Sequence, residues 1–125
     1  MPQKILIVDD EKPLSALLIE ALQTGDYYKV ERAFNGQEGL EKYRSFLPDL
    51  VIMDIYMPVM DGYESSRQIK SFDPDARILV LTGNSMDSRA RRTIKEGIAL
   101  TLLQKPVRLM ELKRVIQENL PVYAS

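Results

Sequence analysis

The sequence predicts an α/β fold, a parallel sheet covered by helices on both faces. Three observations lead there. Short apolar runs recur at residues 5–8, 50–53, 78–81 and 100–103, the last interrupted by Thr101, with a weaker one over 29–33. Runs of that length mark strands buried on both faces, as parallel strands are. Between them lie segments whose apolar residues repeat with helical spacing, so the chain reads as five strand–helix pairs. Right-handed crossovers between parallel strands then place helices on both sides of the sheet.

The first strand is Ile5-Leu6-Ile7-Val8. The helix after it carries Leu14, Leu17, Leu18, Ala21 and Leu22 on one stripe, with Pro13 near its start and Gly25 past its end. The weaker strand over 29–33 leads to a second helix with Leu40, Tyr43 and Leu47 as its stripe, stopped by Pro48. The run over 50–53 leads to a third helix over 63–69, ended before Asp73-Pro74. A fourth helix spans 87–96 with Gly97 as its stop. The fifth carries Leu109, Leu112, Val115, Ile116 and Leu120 and is closed by Pro121. One domain over 1–121 and a short tail over 122–125 account for the 125 residues. A chain of that size can bury roughly two-thirds of its unfolded surface, enough for a core without staples.

Composition excludes several functions. There is no cysteine, hence no disulfide, thiolate metal site or cysteine nucleophile. There is no histidine, hence no serine–histidine triad, no histidine-bound zinc and no phosphohistidine carrier within the chain. The 17 basic and 18 acidic side chains nearly cancel and give no overall pull toward nucleic acid or anionic lipid. Only four apolar residues stand before Asp9, too few for a signal-peptide core or a membrane span. A cytoplasmic location is expected, without membrane attachment.

The chemistry-bearing residues follow the strands. Asp9 and Asp10 come after the first, Asp54 after the third, Thr82 after the fourth and Lys105 after the fifth. In a parallel sheet those positions share the carboxyl edge, where ligands of open α/β sheets bind. Each residue alone has a plainer use: the aspartates as helix caps or turn residues, Lys105 as a solvated surface cation. Their placement on one edge favours a common site. Two carboxylates about 4 Å apart repel by roughly 4 kcal/mol at an effective dielectric of about 20. A hard divalent cation such as Mg2+, held by carboxylates and completed by phosphate oxygens, relieves that repulsion. A lysine would add a point charge for phosphate and a threonine a hydroxyl donor. Phosphoryl transfer needs mainly positioning and charge neutralisation, and carboxylates do form acyl phosphates, with Asp54 as the nucleophile here.

The residues Ile5-Leu6-Ile7-Val8-Asp9-Asp10, the segment Asp54-Ile55-Tyr56-Met57-Pro58-Val59-Met60-Asp61-Gly62, and the pairs Thr82-Gly83 and Lys105-Pro106 resemble the receiver domains of bacterial two-component response regulators. The likeness runs over essentially the whole chain. It implies a flavodoxin-like, CheY-like (βα)5 fold with a five-stranded parallel sheet of order 2-1-3-4-5. It implies a phosphoprotein of phosphorelay signalling, modified on Asp54 by a sensor histidine kinase or a histidine phosphotransfer protein. Asp10, Asp54 and the Tyr56 backbone carbonyl would ligate magnesium directly, and Asp9 would act through a metal-bound water. Thr82 and Lys105 would contact the phosphoryl group, and the Lys105–Pro106 bond would be cis. Phosphorylation would alter the surface of the fourth helix, fifth strand and fifth helix, the face offered to a downstream target, an output domain or a second copy of the chain.

The chain also departs from the family. Leu102 stands where an aromatic switch residue is usual, and the segment over 97–105 is one residue longer than is common. Tyr56 and Asn84 occupy the two positions that tune phosphate lifetime, and bulky Tyr56 is expected to hinder the attacking water. Two rival functions are a phosphatase of the haloacid-dehalogenase type and an interaction module indifferent to phosphorylation. The first needs a second acid where Tyr56 stands; the second leaves the acid set unexplained. Arg89, Arg91, Arg92 and Lys95 make the fourth helix basic, but no nucleic-acid-binding motif accompanies them and direct nucleic-acid binding is not expected. Gly36 and Gly39 read as turn and helix-packing glycines, not as a dinucleotide fingerprint.

Overall fold

The computed structural model describes residues 2–24 and 27–120, and of Leu14 the backbone alone. The expected stops at Gly25 and Pro121 and the tail over 122–125 lie outside the described residues. Five strands alternate with five helices: β1 (Gln3–Val8), α1 (Lys12–Gln23), β2 (Tyr28–Ala33), α2 (Gly36–Phe46), β3 (Leu50–Met53), α3 (Gly62–Phe72), β4 (Ile78–Thr82), α4 (Ser88–Lys95), β5 (Thr101–Gln104) and α5 (Leu109–Asn119). All pairings are parallel and the order is β2-β1-β3-β4-β5, as expected.

Alternation along the central strands explains the two covered faces. Leu6, Val8, Val51, Met53, Ile78 and Val80 point to one side and meet Leu40, Tyr43 and Phe46 of α2, Ile69 of α3 and Ala90 of α4. Ile5, Ile7, Leu50, Ile52, Leu79 and Leu81 point to the other and meet Leu18 and Leu22 of α1 and Leu112, Val115 and Ile116 of α5. Neither face can be polar, which is why these strands read as unbroken apolar runs. Truncating any of these side chains leaves a cavity, and Ile52→Ala belongs to the class costing about 2–5 kcal/mol.

Three expectations shift in detail. Leu47, read as part of the buried stripe of α2, is 54% exposed; it adopts φ 49° as the C-cap, donates its N–H to Tyr43 O, and leaves Phe46 as the buried residue. Leu17 and Leu109 are likewise exposed, so the buried stripes of α1 and α5 are narrower than their apolar positions suggest. The last strand begins at Thr101, one residue later than the apolar run; Leu100 donates its N–H to Ile78 O but is half exposed. Among the described residues no helix is long and apolar enough to cross a membrane.

Candidate functional site

The sheet's own hydrogen bonds bring the acids together. Val8 pairs with Met53 and with Ala33, so the next residues of β1 and β3 emerge side by side. Asp54 donates its N–H to Val8 O at 3.0 Å, and Asp9 donates to Ala33 O at 3.0 Å. Two strands away, Lys105 donates its N–H to Thr82 O at 2.7 Å, and its peptide bond to Pro106 is cis. The Lys105 side chain reaches back across the end of β4. Its Nζ donates to Asp9 Oδ2 at 3.0 Å and Asp54 Oδ2 at 3.2 Å, and lies 3.5 Å from Glu11 Oε1.

Both aspartates are held in the same way. Asp9 Oδ1 accepts the Glu11 N–H at 2.8 Å and Asp54 Oδ1 accepts the Ile55 N–H at 2.7 Å. Each therefore has one oxygen fixed by the backbone and the other turned to the ammonium. Their side chains are only 5% exposed and that of Lys105 13%. Burial pushes the Asp54 carboxyl above its ordinary range; Lys105 opposes this, Asp9 adds to it, and burial prevails. For Lys105 burial alone would lower the pKa, but its hydrogen bonds to Asp9 and Asp54 and the charges of both prevail and raise it. Oxygens of Asp9, Glu11 and Asp54 lie within 4.8 Å of one another. Three carboxylates against one ammonium leave uncompensated negative charge, and an all-oxygen donor set of this kind suits a hard divalent cation.

The loop after Asp54 is clamped from below. Gly62 donates its N–H to Ile55 O at 2.9 Å, and a Cβ there would stand 1.9 Å from Asp54 O. Gly36 donates to Met60 O at 3.0 Å, and a Cβ there would stand 2.3 Å from that oxygen. Neither glycine can take a side chain without moving the loop. Within the clamped loop Val59 adopts φ 70°, a left-handed conformation costly for a β-branched residue. Above the loop the Tyr56 hydroxyl donates to Asp87 Oδ2 at 2.7 Å, and the Arg89 guanidinium lies 5.0 Å from the Tyr56 ring centroid. Asp87 is also the N-cap of α4 and accepts the N–H groups of Arg89 and Ala90. Arg89 reaches on to Asp61, the N-cap of α3, at 3.2 Å.

Of the residues singled out from the sequence, Asp9, Asp54 and Lys105 are in mutual contact. Thr82 is fully buried at the end of β4, its hydroxyl oxygen accepting the Asn84 N–H at 3.4 Å. Asp10 is exposed and stands outside the carboxylate group. Leu102 packs against the core between the sheet and α2, α3 and α4. Two features were missed: Glu11 as a third carboxylate near the ammonium, and the Tyr56–Asp87 bond. Glu11 was legible in part, because it follows the acidic pair directly. The Tyr56–Asp87 bond spans 31 residues and leaves no local signal.

The comparisons agree with this geometry. Residues 5–117 match the family model described as response regulator receiver domain. The chemotaxis protein CheY of Bacillus subtilis is 34% identical over 120 residues, which cover 96% of this chain and 99% of that protein. The transcriptional regulatory protein ZraR of Klebsiella oxytoca is 40% identical over 116 residues, covering 93% of this chain but 26% of that longer protein. The crystal structure of response regulator protein TrrA from Thermotoga maritima in complex with Mg2+–BeF is 36% identical, superposes with a TM-score of 0.82, and covers 94% of this chain and 99% of that one. With strand order and relatives in agreement, the chain belongs to the response regulator receiver domains, the CheY-like signalling switches of two-component systems.

Proposed function

We propose that the chain accepts a phosphoryl group on Asp54 from the phosphohistidine of a sensor histidine kinase or a histidine phosphotransfer protein. The observation that carries this reading is the Lys105 ammonium, 3.2 Å from Asp54 Oδ2 and shared with Asp9. It marks where added phosphate charge would be met. Asp54 Oδ2 attacks phosphorus, the P–N bond breaks, and the imidazole nitrogen departs with the bonding pair. The backbone bond from Ile55 to Asp54 Oδ1 leaves Oδ2 as the oxygen free to turn. Lys105 moves its hydrogen bond from the carboxylate to a phosphoryl oxygen, and the buried Thr82 hydroxyl donates to another.

Magnesium fits the donor set. It would find oxygens of Asp9, Glu11 and Asp54 within 4.8 Å of one another; the family likeness adds Asp10, which is exposed and outside that group, and the Tyr56 carbonyl as direct ligands, with Asp9 acting through a water. It would supply neutralisation of the phosphoryl charge. The Mg2+–BeF complex of the Thermotoga relative supports this assignment. Self-catalysed gain and loss of the phosphoryl group would be the chain's only chemistry, and Tyr56, held over the site by Asp87, would slow the loss by obstructing water.

The signal would leave through α4, β5 and α5. A groove between α4 and β5 is lined by Met86, Arg91, Ile94, Lys95, Leu100 and Leu102, an apolar floor with a basic rim suited to a target protein, an output domain or a second copy. A cytoplasmic location fits these partners. Incubation with phosphoramidate and magnesium tests the reading by intact mass. One phosphoryl group is gained and held, Asp54→Asn gains none, and Tyr56→Ala loses its label faster. Steady release of phosphate without a labelled intermediate would instead favour the phosphatase, and no reaction at all the inert module.

A further inference from the structure

We propose that Glu11 sets the class of phosphodonor, favouring donors whose leaving atom is a protonated nitrogen over acyl phosphates whose leaving atom is an anionic oxygen. The inference rests on the phosphoacceptor reading of Asp54 and deepens it. Glu11 occupies the N-cap position of α1, yet its side chain caps nothing there; its own N–H is satisfied by Asp9 Oδ1. The carboxylate turns instead toward the site, 3.5 Å from Lys105 Nζ. It differs from the other two acids in one respect: Asp9 and Asp54 are buried, whereas the Glu11 side chain is 57% exposed. It therefore stands at the mouth.

With Asp54 buried and Glu11 exposed, a donor that enters from solvent for in-line displacement carries its leaving atom on the outer side of phosphorus, opposite the attacking oxygen. Beside Glu11 and Lys105 opens a hollow of about 410 Å³, otherwise lined by Leu18, Leu81, Pro106 and Val107 with Gly83. It offers an apolar wall to a flat ring and, once the Lys105 ammonium has moved to a phosphoryl oxygen, the negative charge of Glu11 to the atom that leaves. When Asp54 attacks a phosphoramidate, the P–N bond breaks and its electron pair passes to a nitrogen that is already protonated; the positive charge that nitrogen brings is only partly lost at the transition state, and what remains faces Glu11. When it attacks an acyl phosphate, the P–O bond breaks and negative charge grows on the departing carboxylate, against Glu11. The same side chain thus helps one donor and hinders the other.

The test is the ratio of second-order rate constants for phosphorylation by phosphoramidate and by acetyl phosphate, each at saturating magnesium, for the wild-type chain, Glu11→Gln and Glu11→Lys. Any general loss of fold or metal affinity affects both donors and cancels in the ratio. Removing one charge at this distance near the surface should move the ratio about five-fold toward acetyl phosphate. Glu11→Lys should move it further the same way, and high salt should shrink both shifts. A ratio unchanged within about two-fold in both variants, with labelling intact, overturns the role of Glu11 and leaves Asp54 as acceptor. No labelling of the wild-type chain by either donor overturns the phosphoacceptor reading, and this one with it.

Discussion

Asp54 sits where its charge is least welcome. Buried beside Asp9, its carboxyl is held above the usual range, so between the ordinary and the raised value the folded chain keeps a proton that the unfolded chain has lost. Stability then falls as pH rises above the ordinary carboxylate value of 3.8 through the raised folded value. Lys105 works in the opposite sense: its raised pKa contributes stability that is complete below 10.5 and lost as pH rises through the folded value. Asp54→Asn removes the unwelcome charge and leaves Asp9 to pair with Lys105. The variant should melt later than the wild-type chain at pH 7 in a chelator, by on the order of 1 kcal/mol. Magnesium should raise the melting temperature of the wild-type chain more than that of the variant. Thermal scans with and without the metal read both effects. Val59 stores strain of another kind, since left-handed backbone costs an L residue roughly 1–2 kcal/mol. Val59→Asn, whose side chain tolerates that conformation, should gain about 1 kcal/mol in a denaturant titration.

At the scale of elements, α4 is tied to the phosphoacceptor loop by one residue with two duties. Asp87 caps the helix and holds the Tyr56 hydroxyl. That hydroxyl is the first cause of the low pKa of Asp87, about 2 against an ordinary 3.8, with the Arg89 side chain and the N–H groups of α4 adding to it and burial opposing. A lowered carboxyl contributes stability that is present above pH 3.8 and lost as pH falls through about 2. Asp87→Ala should cost about 1–2 kcal/mol at neutral pH. It should also flatten the loss of stability between about pH 4 and about pH 2. Tyr56→Phe, which keeps the cap, should cost less than Asp87→Ala. Denaturant titrations at several pH values separate the two. Leu102 fills the place of an aromatic, so the Tyr56–Asp87–Arg89–Asp61 chain is the polar route this structure offers from the loop to α4.

For the whole molecule, topology was plain in the sequence because the physics behind it is local. A strand covered on both faces has no polar face, and the three central strands announce themselves that way. The edge strands are only partly buried, and β2, with Lys29, Glu31 and Arg32 among its six residues, was correspondingly faint. The carboxyl-edge placement of Asp9, Asp54 and Lys105 followed from strand ends alone. What escaped depended on side-chain reach. Leu47 looked like a core residue until a left-handed cap turned it outward. Glu11 carried no signal beyond its place after the acidic pair, and its role depends on a side chain that faces Lys105. Asp10 was expected as a direct metal ligand and Asp9 as an indirect one; past the end of β1, Asp9 is buried and meets the ammonium while Asp10 is exposed.

The account stands on Asp54 being the acceptor, because Lys105 bridges it to Asp9 at the carboxyl edge of the sheet. Peptide mapping by tandem mass spectrometry after phosphoramidate treatment in magnesium tests this most directly. A single acid- and base-labile phosphoryl group on Asp54 is the predicted result. A group carried by Asp9, Asp10 or Glu11 with Asp54 unmodified would contradict it.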